Sequence, residues 1–407
     1  MAVWSGSRWR LWAGAPARGA RTCHASSVPP ARSSSGAWAR SFPSAFSQGL
    51  RRVWREPIVS VGRGAPRGGG AAAPLLGGTV LAGVLCVGEV LIDFLGEGGG
   101  SLVDAAAFRP APGGASANVA VAVARAGASV AFAGRVGDDA FGRRLRTALE
   151  SAGVDCGPLR TDPQAHTTLA FVIPASQGAH GFAFFRGADA GLGPEDLPPA
   201  LFSGRAALGC GGVSLSAQPA RAATLHALRA ARTAGALTVF DVNWRPALWA
   251  SPQEAVAAFR EAIALADVIR CNEAELELLC GAAGTVEARA RPLCGSAAAV
   301  ALTLGERGAL WVGPGGVAAH PGFSVRAVDA IGAGDCFTGT LLAWWARRRD
   351  AAAAANAGPA ALTEAEVAEA LMRCNAAAAL STLRPGAMGA MPTRDEVDRL
   401  LRERAGG

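Results

Sequence analysis

The 407-residue sequence contains no lysine and no tyrosine, while alanine is abundant. We read this as a compositional bias that carries no functional message. Cys-x-x-Cys pairs are also missing: the nine cysteines (Cys23, Cys86, Cys156, Cys210, Cys271, Cys280, Cys294, Cys336 and Cys374) are scattered and odd in number. That pattern supports neither a zinc site nor a disulfide framework, so reduced, mostly buried thiols are expected. No apolar run approaches the roughly 20 residues needed to span a bilayer, so the chain reads as soluble, without a membrane partner. Acids are nearly absent from residues 1–75, where 11 Arg face only Glu56. The remaining residues carry 28 basic against 31 acidic groups. The formal charge of +7 therefore belongs to the N-terminus, and no nucleic-acid-binding domain is expected. The same segment has no apolar h-region, which argues against a secretory signal and fits an organellar transit peptide over residues 1–75. A plastid address is expected, with a mitochondrial one as the alternative.

What is present begins near Val80, where strands start to alternate with helices, and residues 76–407 are read as one domain. Val80–Val87 is a buried-type strand. Ser116–Ala126 reads as a helix capped by Ser116, and Asp139–Ala152 as an amphipathic one. Thr167–Ile173 and Gly181–Phe185 predict two antiparallel strands across a turn. Alternation of this kind predicts an α/β fold with a doubly wound, mostly parallel sheet, whose ligands bind beyond the carboxyl ends of the strands. The strands near 90–110 and 167–186 break the alternation and predict a small β lid over the site. An Ala-rich insert follows at 351–361.

Five polar clusters interrupt apolar segments. Gly332-Ala333-Gly334-Asp335 follows a strand and opens a helix, with Asp335 expected as its first residue. Backbone N–H groups and the helix dipole there favour an anion, and a carboxylate beside a phosphate cradle suits phosphoryl transfer. Gly113-Gly114-Ala115-Ser116-Ala117-Asn118 lets a ligand approach the backbone. Asp241-Val242-Asn243-Trp244-Arg245 ends a strand with groups suited to an anionic or hydroxylated ligand. Asn272-Glu273-Ala274-Glu275 could hold Mg²⁺ through its waters. Thr303-Leu304-Gly305-Glu306-Arg307-Gly308 could line a nucleotide. Taken alone, each has a plainer reading: a capped helix start, a surface ion pair or a simple hairpin. All five fall on one expected edge of one sheet, which favours a nucleotide-dependent phosphotransferase.

The pattern from Gly113-Gly114 through Asn118, Ala120, Gly127 and Gly137 resembles the N-terminal signature of the ribokinase-like (PfkB) sugar kinases. Asp329-x-x-Gly332-Ala333-Gly334-Asp335 resembles the C-terminal one, and Asn272-x-x-Glu275 the family's magnesium motif. Gly88 to Phe94, Phe185-Arg186, and Pro385-Gly386-Ala387 through Pro392-Thr393 look most like plant and bacterial fructokinases. The resemblance implies a ribokinase-like sheet with a β lid and ATP-dependent phosphorylation of a sugar, fructose first. It implies Asp335 as general base and backbone N–H groups of Gly332, Ala333 and Gly334 around the moving phosphoryl group. Asp93, Gly114, Asn118 and Arg186 would bind sugar or phosphate, and Thr303, Gly305, Gly308 and Asn375 would flank ATP. Asn243 would position Mg²⁺ and phosphates with Asn272 and Glu275, through water, and Asp329 would help to bind a monovalent cation such as K⁺. A homodimer through the lid is also implied. Ala330, Ile331, Thr340, Ser116 and Val242 depart from the family pattern, and several of them are expected near the sugar pocket. Two alternatives accompany this reading: a kinase of another sugar or a nucleoside, and a fructokinase-like binding protein of a plastid assembly.

Overall fold

The structure, a computed structural model, describes residues 83–405 apart from 99, 174–180, 296–298 and 352–357. The segment read as a transit peptide and most of the Ala-rich insert lie outside the described residues. The chain runs β1 (Val84–Val87), β2 (Leu91–Glu97), β3 (Ala107–Gly113), α1 (Ala115–Arg125), β4 (Val130–Gly137), α2 (Ala140–Ser151), β5 (Leu159–Asp162), β6 (Leu169–Ile173) and β7 (Gly181–Phe185). It continues with β8 (Ala207–Gly211), α3 (Ala220–Thr233), β9 (Leu237–Asp241), α4 (Pro252–Ile263), β10 (Val268–Asn272), α5 (Glu273–Cys280), α6 (Val286–Ala290) and β11 (Ala299–Thr303). β12 (Ala309–Gly313), β13 (Gly316–His320), α7 (Ala333–Ala351), α8 (Glu364–Ser381) and α9 (Arg394–Ala405) complete it.

Nine strands form one sheet in the order β13-β12-β11-β10-β9-β8-β1-β4-β5. From β11 to β5 every pairing is parallel, and only the β11–β12 and β12–β13 pairings at one edge are antiparallel. β1 shows why such strands read as unbroken apolar runs: Val84 and Cys86 enter the core on one face, Leu85 and Val87 the core on the other. Both faces of the sheet are therefore covered, as the doubly wound arrangement requires. α1, α7 and α8 bury residues in the first core, and α3, α4 and α5 in the second. Among the described residues no helix is long and apolar enough to cross a membrane.

A second sheet, β3-β2-β6-β7, forms the small β lid. β2 pairs antiparallel with β3 and parallel with β6, and β6 pairs antiparallel with β7. Leu91, Leu95, Ala170 and Val172 make its own small core. Two expected boundaries need correction. The N-cap of α1 is Gly114, with no side-chain cap, and Ser116 is buried inside the first turn. Gly114 holds φ at 99°, which a residue with a Cβ reaches only at a cost. α7 begins at Ala333, two residues before Asp335, because Ala333 and Gly334 already belong to its first turn.

Candidate active site

A cavity of about 250 Å³ lies where the carboxyl ends of the large sheet meet the lid. Asp335 is at its floor, and two amides hold its carboxylate. Asn118 Nδ2 donates to Oδ2 at 2.8 Å, and Asn243 Nδ2 to Oδ1 at 3.3 Å. All three side chains are buried. Burial pushes Asp335 up to about 6, with help from the nearby Asp241 charge and against the pull of the Asn118 hydrogen bond. The Oδ1 atoms of Asn118 and Asn243 are buried and have no partner among the described residues. Asn243 is also the one described non-glycine residue with positive φ, at 38°, the kind of backbone strain that persists where surroundings over-determine a site.

The glycines of both motifs are explained by close approach. A Cβ on Gly113 would lie 2.0 Å from Asp93 Oδ2, so that carboxylate rests directly on the glycine. Burial raises Asp93 to about 7, opposed by Arg245. A Cβ on Gly114 would meet the Glu89 carbonyl at 2.8 Å, and one on Gly332, whose φ is 80°, would meet Ala387 at 2.9 Å. On the turn itself, the Ala333 N–H already donates to the Ala330 carbonyl at 3.2 Å.

Other sequence-derived candidates are spread around this centre. Asn272 and Glu275 line the cavity, yet they form a capping box, with Glu275 N–H on Asn272 Oδ1 at 2.9 Å and Asn272 N–H on Glu275 Oε2 at 2.8 Å. Glu275 Oε1 takes the Trp244 N–H at 3.0 Å. With both oxygens engaged, the pair fits a hydrated Mg²⁺ held through water, not one ligated directly. Among the described residues no three His, Cys, Asp or Glu gather into a metal cluster. Thr303 Oγ1 accepts from Arg270 Nη2 at 2.8 Å. Gly305 and Gly308 shape the β11–β12 hairpin, where Leu304 N–H donates to the Gly308 carbonyl at 2.8 Å. Asn375 sits nearby, its Nδ2 3.0 Å from His320 Nδ1; neither glycine nor Asn375 lines the cavity. Asp329 takes the N–H groups of Ile331 and Gly386 at 3.0 and 2.9 Å.

Arg186 does not line the cavity. It forms a 2.8 Å ion pair with buried Asp189 and donates to Ser216 Oγ at 2.8 Å. The arginines that do line it are Arg245, which the sequence placed in a ligand-suited cluster, and Arg270, to which sequence reasoning gave no role. It also missed Glu89, a buried cavity residue whose carboxylate accepts Ser116 Oγ–H at 2.9 Å and Ser116 N–H at 3.2 Å. A glutamate directly before an apolar strand was the available signal. Of the positions departing from the family pattern, Ala330 and Ile331 line the cavity. Thr340 lies against Cys336, Val242 is in the core, and Ser116 serves Glu89; none of these three is a cavity residue.

Residues 81–394 match the pfkB family carbohydrate kinase. The chain is 38% identical over 323 residues to fructokinase-1 of Zea mays, covering 78% of this chain and 97% of that protein. The solved structure of a fructokinase with bound ATP from Xylella fastidiosa superposes with a TM-score of 0.72 at 32% identity, covering 80% of this chain and 100% of that one. A fructokinase double mutant from Vibrio cholerae, holding fructose, ADP and potassium, gives a TM-score of 0.69 at 32% identity, over 79% and 98% of the two chains.

Proposed function

The chain belongs to the pfkB family of carbohydrate kinases, and from that premise we propose that it phosphorylates free fructose with ATP, using Asp335 as general base. The observation that carries the reading is the Asp335 carboxylate held between Asn118 and Asn243 on the cavity floor. A sugar hydroxyl beside Asp335 attacks the γ-phosphorus of ATP, and its proton passes to the carboxylate. The bond from that phosphorus to the β–γ bridging oxygen breaks, and ADP leaves with the electron pair. A base raised to about 6 is ionised at neutral pH yet basic enough to take the proton. The unpartnered Oδ1 atoms of Asn118 and Asn243 suit sugar hydroxyls, and Asp93 adds a further acceptor. N–H groups of the Gly332–Gly334 turn receive charge on the phosphoryl group.

Mg²⁺ would supply charge neutralisation on the phosphates, held through water by Asn272 and Glu275. Asp329 is assigned to a monovalent cation such as K⁺; the Vibrio relative was solved in a potassium-bound form. Thr303, Gly305, Gly308 and Asn375 are assigned to the nucleotide side. The outer lid face carries Phe94, Phe108 and Phe171 in ring contact, with Phe185 57% exposed beside them. This supports a homodimer through the lid, and a monomer mass by light scattering would remove that assignment. A plastid address for residues 1–75 is tested by fusing them to a fluorescent reporter. The decisive assay is ADP release by protein lacking residues 1–75 across fructose, other hexoses, ribose and nucleosides. Fructose should give the highest kcat/KM; a better ribose or nucleoside overturns the substrate, and no turnover overturns the enzyme.

A further inference from the structure

Arg270 lies on β10, two residues before the capping box, and is only 6% exposed. Strand register chooses its partner, since β9 and β10 run parallel with Arg270 opposite Asp241. Nη1 lies 3.0 Å from Asp241 Oδ1, and Nη2 donates to Thr303 Oγ1 at 2.8 Å. Held in this way, the end of the guanidinium packs against Gly334. A Cβ built on Gly334 would stand 2.4 Å from Nη2, 2.7 Å from Nη1 and 2.8 Å from Cζ. The end of the guanidinium, its two terminal nitrogens and Cζ, therefore fills the space beside Gly334 at a slant to its own plane. Thr338 closes the ring: its Oγ1 is 2.8 Å from Asp241 Oδ2 and 3.1 Å from the Gly334 carbonyl. Four groups thus grip the first turn of α7, and one of them carries a charge that is never lost to solvent pH.

A purely structural ion pair has no need to reach a ligand cavity. Arg270 lines it beside Gly334 and Asp335, and its Nε has no partner among the described residues. Phosphoryl transfer gathers negative charge at such a turn, and a cation already fixed behind it needs no reorganisation when that charge moves. We propose that Arg270 is a positioning residue for the transfer: packed against Gly334 and locked by Asp241, it holds the turn in shape and biases it toward the γ-phosphoryl group. This rests on the kinase reading above.

The test compares Arg270→Met, Arg270→Lys and the double variant Asp241→Asn/Arg270→Met in the full-length protein. Arg270→Met alone leaves Asp241 buried without its counter-charge, so stability and rate both fall. The double variant removes both charges, and its melting temperature returns toward that of the parent. Its kcat should nevertheless stay about 100-fold low, the scale of losing one preorganised group at such a centre. KM for the sugar should barely move, and Arg270→Lys should recover part of the rate. A double variant that regains parental kcat along with its stability overturns the proposal. Calorimetric titration with ATP and with ADP, without sugar, gives a second readout. The ratio of ATP to ADP affinity should fall about tenfold in the double variant, equivalent to roughly 1.4 kcal/mol. An unchanged ratio overturns the role of Arg270 whatever the sugar. If no sugar is turned over but the ratio falls, the substrate reading fails and Arg270 keeps its place.

Discussion

The two walls of the cavity are built on opposite plans. The floor is polar and cross-linked: Asp335, Asn118, Asn243, Asp241 and Arg270 are buried and tied to one another across more than 200 residues of chain. The lid offers Leu91, Leu95, Val172, Phe182 and Phe184, with Asp93 as its single cavity carboxylate. It meets the floor through contacts such as Ile331 packed on its small core and Arg245 over the Phe182 ring. A floor fixed by many bonds suits groups that need accurate placement for chemistry. An apolar cover suits exclusion of water and a grip on the sugar. Floor substitutions should therefore lower kcat, and lid substitutions should raise KM.

Asp335→Asn tests the floor hardest. Removing the base should lower kcat by about 10³-fold, within the usual range for general base catalysis, with KM little changed. In the parent, kcat should fall as pH drops through about 6, where Asp335 takes up its proton, and the variant should lose that limb. Stability should move the other way. A carboxyl raised from its ordinary value of 3.8 to about 6 binds its proton more tightly when folded, so ionising it costs stability as pH rises through that window. The cost persists above it, at about 3 kcal/mol. The variant should therefore melt higher than the parent at pH 8, and a lower melting temperature would contradict a strained, buried base.

Gly334→Ala is the next largest. Its methyl would enter the space of a guanidinium that Asp241 and Thr303 already pin, so the turn must shift instead. A loss of about 1–3 kcal/mol in stability is expected from such overpacking, with kcat falling about 100-fold as the turn moves. Parental kinetics in this variant would show that the floor is softer than its bonds suggest.

This contrast also explains what the sequence could disclose. Alternating elements revealed the doubly wound sheet, and the broken alternation near Ile92 and Ala170 revealed the lid. Gly332–Asp335 and Asn118 were legible because glycines and polar groups stand out at element ends. Arg270 was not, because it reads as a lone charge in an apolar strand, and its partner Asp241 appears only once β9–β10 register is known. Arg186 came from the family resemblance; the structure pairs its charge with buried Asp189, three residues on, outside the cavity lining. Of the departures expected near the sugar pocket, Ala330 and Ile331 are there, whereas Val242 is in the core and Thr340 lies against Cys336.

Phe182→Ala probes the weakest link, between lid and floor. The ring projects into the cavity, is 40% exposed, and has the Arg245 guanidinium carbon 5.9 Å from its centroid. A cation–π contact this open contributes about 0.5–1 kcal/mol. Its loss should raise KM for the sugar about two- to fivefold and leave kcat and melting temperature almost unchanged. Phe182→Leu keeps most of the apolar cover and removes the ring, so it separates the two contributions. A KM matching the alanine variant would assign the effect to Arg245, and a KM near the parent would assign it to covering the sugar. If instead kcat fell as steeply as in Gly334→Ala, the lid would be shaping the chemistry directly and the division between the two walls would be wrong.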